Sequence, residues 1–159
     1  MNLSARYDIE APVDFVYREL TDFDAWERMA RRRDAEVTRQ TDLKAPPPGL
    51  AWQVSFRFRG KTRNARLHLS ALTPTRHLAV GADSKVVSGN LTFDLLDLAA
   101  SRTRVEVRME VRPKTLAARI YLQTLKLARK KLDAGFAQRV AQFAVEMEDR
   151  YRSPSSRQL

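Results

Sequence analysis

The chain has 159 residues, 43% of them hydrophobic, and sets 29 lysines and arginines against 19 aspartates and glutamates for a formal charge of +10. That length carries one domain with its own core and is short for two. There is no cysteine, which excludes a disulfide framework, a thiolate metal site and a cysteine nucleophile.

Leu3, Ala5, Tyr7 and Ile9 alternate with Ser4, Arg6, Asp8 and Glu10, the period of a strand with one face buried. Ala11-Pro12 breaks that pattern, and Val13, Phe15, Val16 and Leu20 follow at helical spacing, with Pro12 suited to a first turn. Asp22 is placed to cap a second short helix carrying Phe23, Trp26 and Met29, whose end at Arg31-Arg32-Arg33 complements the helix dipole. Asp34 to Thr41 reads as a weaker second strand, and Lys44 to Gly49, with three prolines, as a stiff extended loop.

Trp52, Val54, Phe56 and Phe58 alternate with Gln53, Ser55, Arg57 and Arg59, and Gly60-Lys61 is expected to form a two-residue hairpin turn. Beyond it Ala65, Leu67, Leu69 and Ala71 alternate with polar residues. Pairing Arg59 with Thr62 sets Phe58 opposite Arg63 and puts Arg63 on the apolar face. Thr73-Pro74 turns the chain into a fifth strand with Leu78, Val80 and Ala82, and Asp83-Ser84-Lys85 turns it again into a sixth with Leu91, Phe93 and Leu95. The seventh, after a loop near Ala99-Ala100-Ser101, has Val105, Val107, Met109 and Val111 on one face. Arg104, Glu106, Arg108, Glu110 and Arg112 occupy the other and read as cross-strand ion pairs.

Pro113 ends the strands, and from about Thr115 to Tyr151 only Gly135 interrupts a helical pattern that would span roughly 50 Å if continuous. Tyr121, Leu125, Ala128, Leu132, Phe136, Val140, Phe143 and Met147 make its apolar stripe, and Lys126, Lys130, Asp133 and Glu148 its polar side. The sheet is the surface that stripe is expected to cover, with Gly135 as a kink or a close approach point. Residues 1–151 are expected to form the domain and residues 152–159 a disordered tail. The N-terminus lacks a signal peptide's apolar core and no stretch approaches ~20 apolar residues, so a cytoplasmic location is expected.

Four stretches carry a resemblance. Ile9-Glu10-Ala11-Pro12-Val13-Asp14-Phe15-Val16-Tyr17 passes from strand through Ala-Pro into helix, shortly before Asp22-Phe23-Asp24-Ala25-Trp26. Leu72-Thr73-Pro74-Thr75-Arg76-His77-Leu78 forms a proline turn into a strand, and Ser101-Arg102-Thr103-Arg104-Val105 an entry into the last strand without the Gly-Gly that often precedes it. From Leu3 to Tyr151 the chain resembles the START-like, helix-grip superfamily of Bet v 1, polyketide cyclase/dehydrase and coenzyme Q-binding proteins. The resemblance implies an α+β fold: a curved antiparallel sheet of seven strands, two short helices after the first strand, a long C-terminal helix across the concave face, and a cavity between. It is nearly silent on function, because sites in that superfamily are grafted onto a shared frame.

Trp52, Phe56, Phe58, Arg63, Leu67, Phe93, Met109, Tyr121, Leu125, Leu132 and Phe136 fall on inward faces and are the candidate ligand-binding residues. Core packing is the better account of any one apolar member taken singly, and Arg63, near a hairpin end, has snorkelling to solvent as its alternative. No catalytic motif stands out. Arg63, Asp97, Tyr121 and His77 are the candidates should acid-base chemistry exist. The two histidines, His68 and His77, have no metal-ligand spacing, so no metal or cofactor is expected.

Basic residues concentrate at Arg28 with Arg31 to Arg33, at Arg57, Arg59, Lys61, Arg63 and Arg66, and at Lys126, Arg129, Lys130 and Lys131. Nucleic acid binding would interleave aromatics among them, but here the aromatics point inward, which favours an anionic membrane surface or an acidic protein as partner. The leading expectation is a carrier or sensor of a hydrophobic small molecule. Its alternatives are an enzyme of the cyclase or dehydratase kind and a basic interaction module, and the pattern leaves the oligomeric state open.

Overall fold

In a computed structural model, which describes residues 1–41 and 49–153, the alternating runs become seven strands and the helical patterns four helices. In chain order these are β1 (Asn2–Ile9), α1 (Val13–Leu20), α2 (Phe23–Arg32), β2 (Glu36–Thr41), β3 (Leu50–Phe58), β4 (Lys61–Thr73), β5 (His77–Asp83), β6 (Val87–Ala99), β7 (Arg102–Pro113), α3 (Leu116–Lys126) and α4 (Arg129–Arg152). The strands form one antiparallel sheet in the order β1-β7-β6-β5-β4-β3-β2, curved and open, the α+β helix-grip arrangement implied by the resemblance. Most of the proline-rich loop and most of the tail, at residues 42–48 and 154–159, lie outside the described residues.

Register settles which side chains share a face. One row across the inner face runs Arg39, Trp52, Leu67, Ala82, Gly89 and Val111; the next holds Leu69, Val80, Leu91, Met109 and Leu3, and a third Leu72, Leu78, Phe93, Val107 and Ala5. A register shift between Leu69 and Ala71 moves Leu72 to the inner side in place of Ala71. The hairpin turn is displaced by one residue from expectation. Arg59 and Gly60 occupy it, both with positive φ (53° and 74°), as a turn matching strand twist requires. Phe58 therefore pairs with Lys61, and Arg63 with Phe56. Because the pairing moves by two positions, Arg63 keeps the apolar face.

Local caps agree with the sequence. The Asp22 carboxylate accepts from the Ala25 N–H at 3.1 Å, and the Thr115 hydroxyl oxygen from the Ala118 N–H at 3.1 Å. The C-terminal helix, however, is two helices. The break falls at Leu127-Ala128, where the N–H groups of Leu127 and Ala128 bond the carbonyls of Thr124 and Leu125, a tightened three-residue spacing. Gly135, the expected kink, lies within α4.

The core gathers Ile9, Phe15, Val16, Leu20, Leu69, Leu78, Phe93, Val105, Val107, Val140, Ala144 and Met147, so α1 and the second half of α4 press on the inner face over β1, β7 and β6. α4 packs chiefly along β1, the edge strand. At one end Arg129 Nη2 donates to the Asn2 carbonyl at 2.6 Å; at the other, Glu148 Oε1 accepts from the Glu10 N–H at 3.0 Å. Glu148, expected on the polar side of the helix, is buried for that reason. Thr103, also buried, ties the start of β7 to the chain after β1 by donating to the Ala11 carbonyl at 2.8 Å.

On the outer face Arg104 and Asp8 make a cross-strand pair at 2.8 Å whose hydrogen bond holds the Asp8 carboxyl below its ordinary range. Arg108 and Arg112 instead pair with Glu106 and Glu110 two residues away on the same strand, a departure from the expected cross-strand pattern. Gly81 lies under the ring of His68; a Cβ there would come within 2.3 Å of its Cε1.

Candidate functional site

Because α4 keeps to the β1 edge, the inner face is covered unevenly. The core runs from β1, β7 and β6 across to Leu78 of β5 and Leu69 of β4, and the hairpin end of β3 and β4 lies outside it. Phe56 and Phe58 point to the inner side yet remain 37% and 47% exposed. Among the described residues, then, two aromatic rings on the inner face meet solvent instead of packing into the core.

The sequence-derived candidates separate into two groups. Phe93 is core and makes a tilted ring contact with Trp26 at 6.4 Å, which itself stacks on Phe143 at 5.4 Å; Phe136 packs against that core. Trp52 is buried at the edge of the core, against Phe23 at 5.4 Å. Leu67, Met109, Tyr121, Leu125 and Leu132 are half-buried and lie outside the core cluster, as do half-buried Arg63 and the exposed Phe56 and Phe58. Sequence periodicity places both groups on inward faces and cannot distinguish them.

Arg59, at the hairpin tip, lies over the Tyr121 ring at 4.3 Å from its centroid, so a cation–π contact joins the β3–β4 hairpin to α3. Arg63 is half-buried, and its Nε is buried without a hydrogen-bond partner. Lys61, expected in the turn, begins β4 opposite Phe58 and shares the inner side with Arg63. The displaced turn concealed that placement.

At the other end Glu27 of α2 organises a polar node. Its carboxylate accepts from Trp52 Nε1 at 2.9 Å and from Arg39 Nε at 2.5 Å, and Arg39 Nη2 reaches Asp24 at 2.6 Å. Burial alone would push the Glu27 carboxyl up, but the hydrogen bonds from Trp52 and Arg39, with the charges of Arg39 and Arg31, outweigh it and hold it below the usual range. The pattern of alternation marks Trp52 as inward but gives no sign of its partner, which arrives from a different element.

Two acid-base candidates are elsewhere. His77 lies on the outer face, with Nδ1 2.7 Å from Asp94, and Asp97 is exposed near the end of β6, opposite Thr103. A polar depression of about 300 Å³ is also on the outer face, bordered by Arg66, His68, Gly81, Asp83, Asn90 and Arg112, and touches none of the candidate ligand-binding residues. Among the described residues no group of three or more histidines, aspartates or glutamates is placed to hold a metal ion.

No family model and no curated protein matches the sequence. Solved structures do match. An aromatase/cyclase, ZhuI, from a Streptomyces species is 16% identical, with 96% of each chain covered and a TM-score of 0.66. Norcoclaurine synthase from Thalictrum flavum, solved with dopamine and hydroxybenzaldehyde, is 9% identical over 96% of this chain and 88% of its own, with a TM-score of 0.64. A START superfamily protein from Mycobacterium smegmatis is 13% identical over 87% of this chain and 98% of its own, with a TM-score of 0.53. At these identities the likeness is one of fold.

Proposed function

We propose that this chain binds a hydrophobic small molecule, of lipid-, quinone- or polyketide-like character, in the groove between β3, β4 and α3. The observation that carries the reading is the exposure of the inward-facing rings of Phe56 and Phe58 on the same face as half-buried Leu67. Neighbours of the same fold support it, among them an aromatase/cyclase and a synthase solved with dopamine and hydroxybenzaldehyde. The carrier reading is favoured over a cyclase-type enzyme because acid-base catalysis needs converging titratable groups. Of the four candidates, His77 and Asp97 are remote from the groove, leaving Arg63 and the Tyr121 phenol.

The test uses the neutral, apolar fluorophore N-phenyl-1-naphthylamine. It is expected to bind the protein one to one with enhanced blue-shifted emission. Ala65→Trp, which places a large ring on the inner face opposite Val54, is expected to weaken binding at least ~10-fold with the melting transition retained. Binding that is absent, or indifferent to that substitution, would count against the groove.

An anionic membrane is the proposed surface at which such a ligand is exchanged, and α3 favours it. Leu116, Ile120 and Leu127 are spaced along one stripe and stand exposed, Leu127 by 90%, with Lys126, Lys130 and Lys131 beside it. Among the described residues no helix is long and apolar enough to cross a membrane, so contact would be peripheral. Sedimentation with phosphatidylcholine vesicles containing phosphatidylserine is expected to capture the protein at low salt, and Leu127→Asp to reduce capture several-fold. Equal capture by phosphatidylcholine alone would contradict the electrostatic part of this reading.

A further inference from the structure

The proposed groove has a charge pattern that specifies its occupant more narrowly than its apolar walls do. The inner positions of β3 are Trp52, Val54, Phe56 and Phe58, and those of β4 begin Lys61, Arg63, Ala65, Leu67 and Leu69. None is a carboxylate. α3, which faces this end through Tyr121, has the sequence Leu-Ala-Ala-Arg-Ile-Tyr-Leu-Gln-Thr-Leu-Lys, with no acid either. Three cations nevertheless meet there: Arg59 over the Tyr121 ring, Lys61 opposite Phe58, and Arg63 opposite Phe56.

Arg63 is the informative one. The other arginine on the inner face, Arg39, is paired with Glu27 and Asp24. Among the described residues no carboxylate pairs with Arg63, and its Nε is buried with no acceptor. A guanidinium N–H removed from water without a partner is costly, and a carboxylate or similar oxyanion is the group whose geometry satisfies it best.

We infer that the molecule bound in this groove is an acidic amphiphile, an apolar body with an anionic head group, and that Arg63 receives the head group while Leu67, Leu125 and the aromatic rings enclose the body. The inference rests on the groove reading above and deepens it. Lys61 and Arg59 add long-range attraction, whereas the planar Arg63 guanidinium provides the directional contact.

The experiment displaces N-phenyl-1-naphthylamine with dodecanoate, dodecanol or dodecyltrimethylammonium at neutral pH. Dodecanoate is expected to compete at least ~10-fold better than dodecanol, as a charge-assisted hydrogen bond in a partly desolvated site requires. Arg63→Met is expected to erase the preference while leaving dodecanol competition unchanged, and Arg63→Lys to keep part of it. Arg57→Met, on the outer face of the same hairpin, is expected to leave it intact. Equal competition by the acid and the alcohol, a preference for the cation, or a preference that survives Arg63→Met overturns the inference while leaving the groove standing. Failure of the probe to bind, or of all three amphiphiles to compete, removes the groove and this inference with it.

Discussion

Met147→Ala is expected to lower the unfolding free energy by about 3 kcal/mol, with the thermal midpoint falling by roughly 10 °C. Met147 has no solvent exposure and sits in the cluster where α4 meets α1, β7 and β6. Truncation removes the transfer energy of its side chain and leaves a cavity that the surrounding sheet and helices cannot close without moving backbone. Urea unfolding checks the size of the effect, which should appear in the midpoint with an unchanged slope. Val145→Ala provides the comparison. Val145 is on the same helix but 40% exposed, so its truncation should cost less than about 1 kcal/mol. Equal losses for the two variants would mean that α4 does not dock by the face described here.

Glu27→Ala is expected to cost about 2 kcal/mol at neutral pH, the second largest effect. The substitution leaves the Trp52 indole N–H without its acceptor and Arg39 with Asp24 as its remaining partner. The pH dependence gives a sharper signature. The Glu27 carboxyl is held below its ordinary value in the folded protein, so the folded state favours the ionised form. The contribution is fully present above the unfolded carboxylate's pKa and is lost as pH falls through the lower folded value. The stability gap between the native sequence and Glu27→Gln is therefore expected to be largest near neutral pH and to shrink on acidification through the carboxylate range. A gap that grows with acidity would reverse the assigned direction. Since Trp52 borders the groove end of the core, its fluorescence should shift with the same transition.

Much of the frame is legible in the chain because backbone period and burial are coupled locally. Val105, Val107, Met109 and Val111 alternate without interruption, and each points inward in the sheet. Asp22 is recognisable as a cap because the donor it satisfies lies only three residues away. Arg63 is an inward residue whichever of the two turns the hairpin adopts. Moving the turn from Gly60-Lys61 to Arg59-Gly60 slides the pairing by two positions, and a period of two is indifferent to that. The same displacement hid Lys61, whose placement depends on where the turn ends and β4 begins. Other relations were beyond local pattern altogether. The Glu27 to Trp52 hydrogen bond joins residues 25 apart, and the burial of Glu148 comes from an N–H 138 residues away.

By itself the sequence determined the order of elements, the inward and outward faces of the strands, and the presence of one guanidinium among apolar inward positions. Tertiary structure alone decided that the C-terminal helix divides at Leu127-Ala128 and that α4 lies along β1. That choice closes one half of the apolar face as core and leaves Phe56 and Phe58 uncovered on the other. Amphipathic period specifies that a helix has a face to bury, but which part of the sheet receives it depends on packing between residues far apart in the chain.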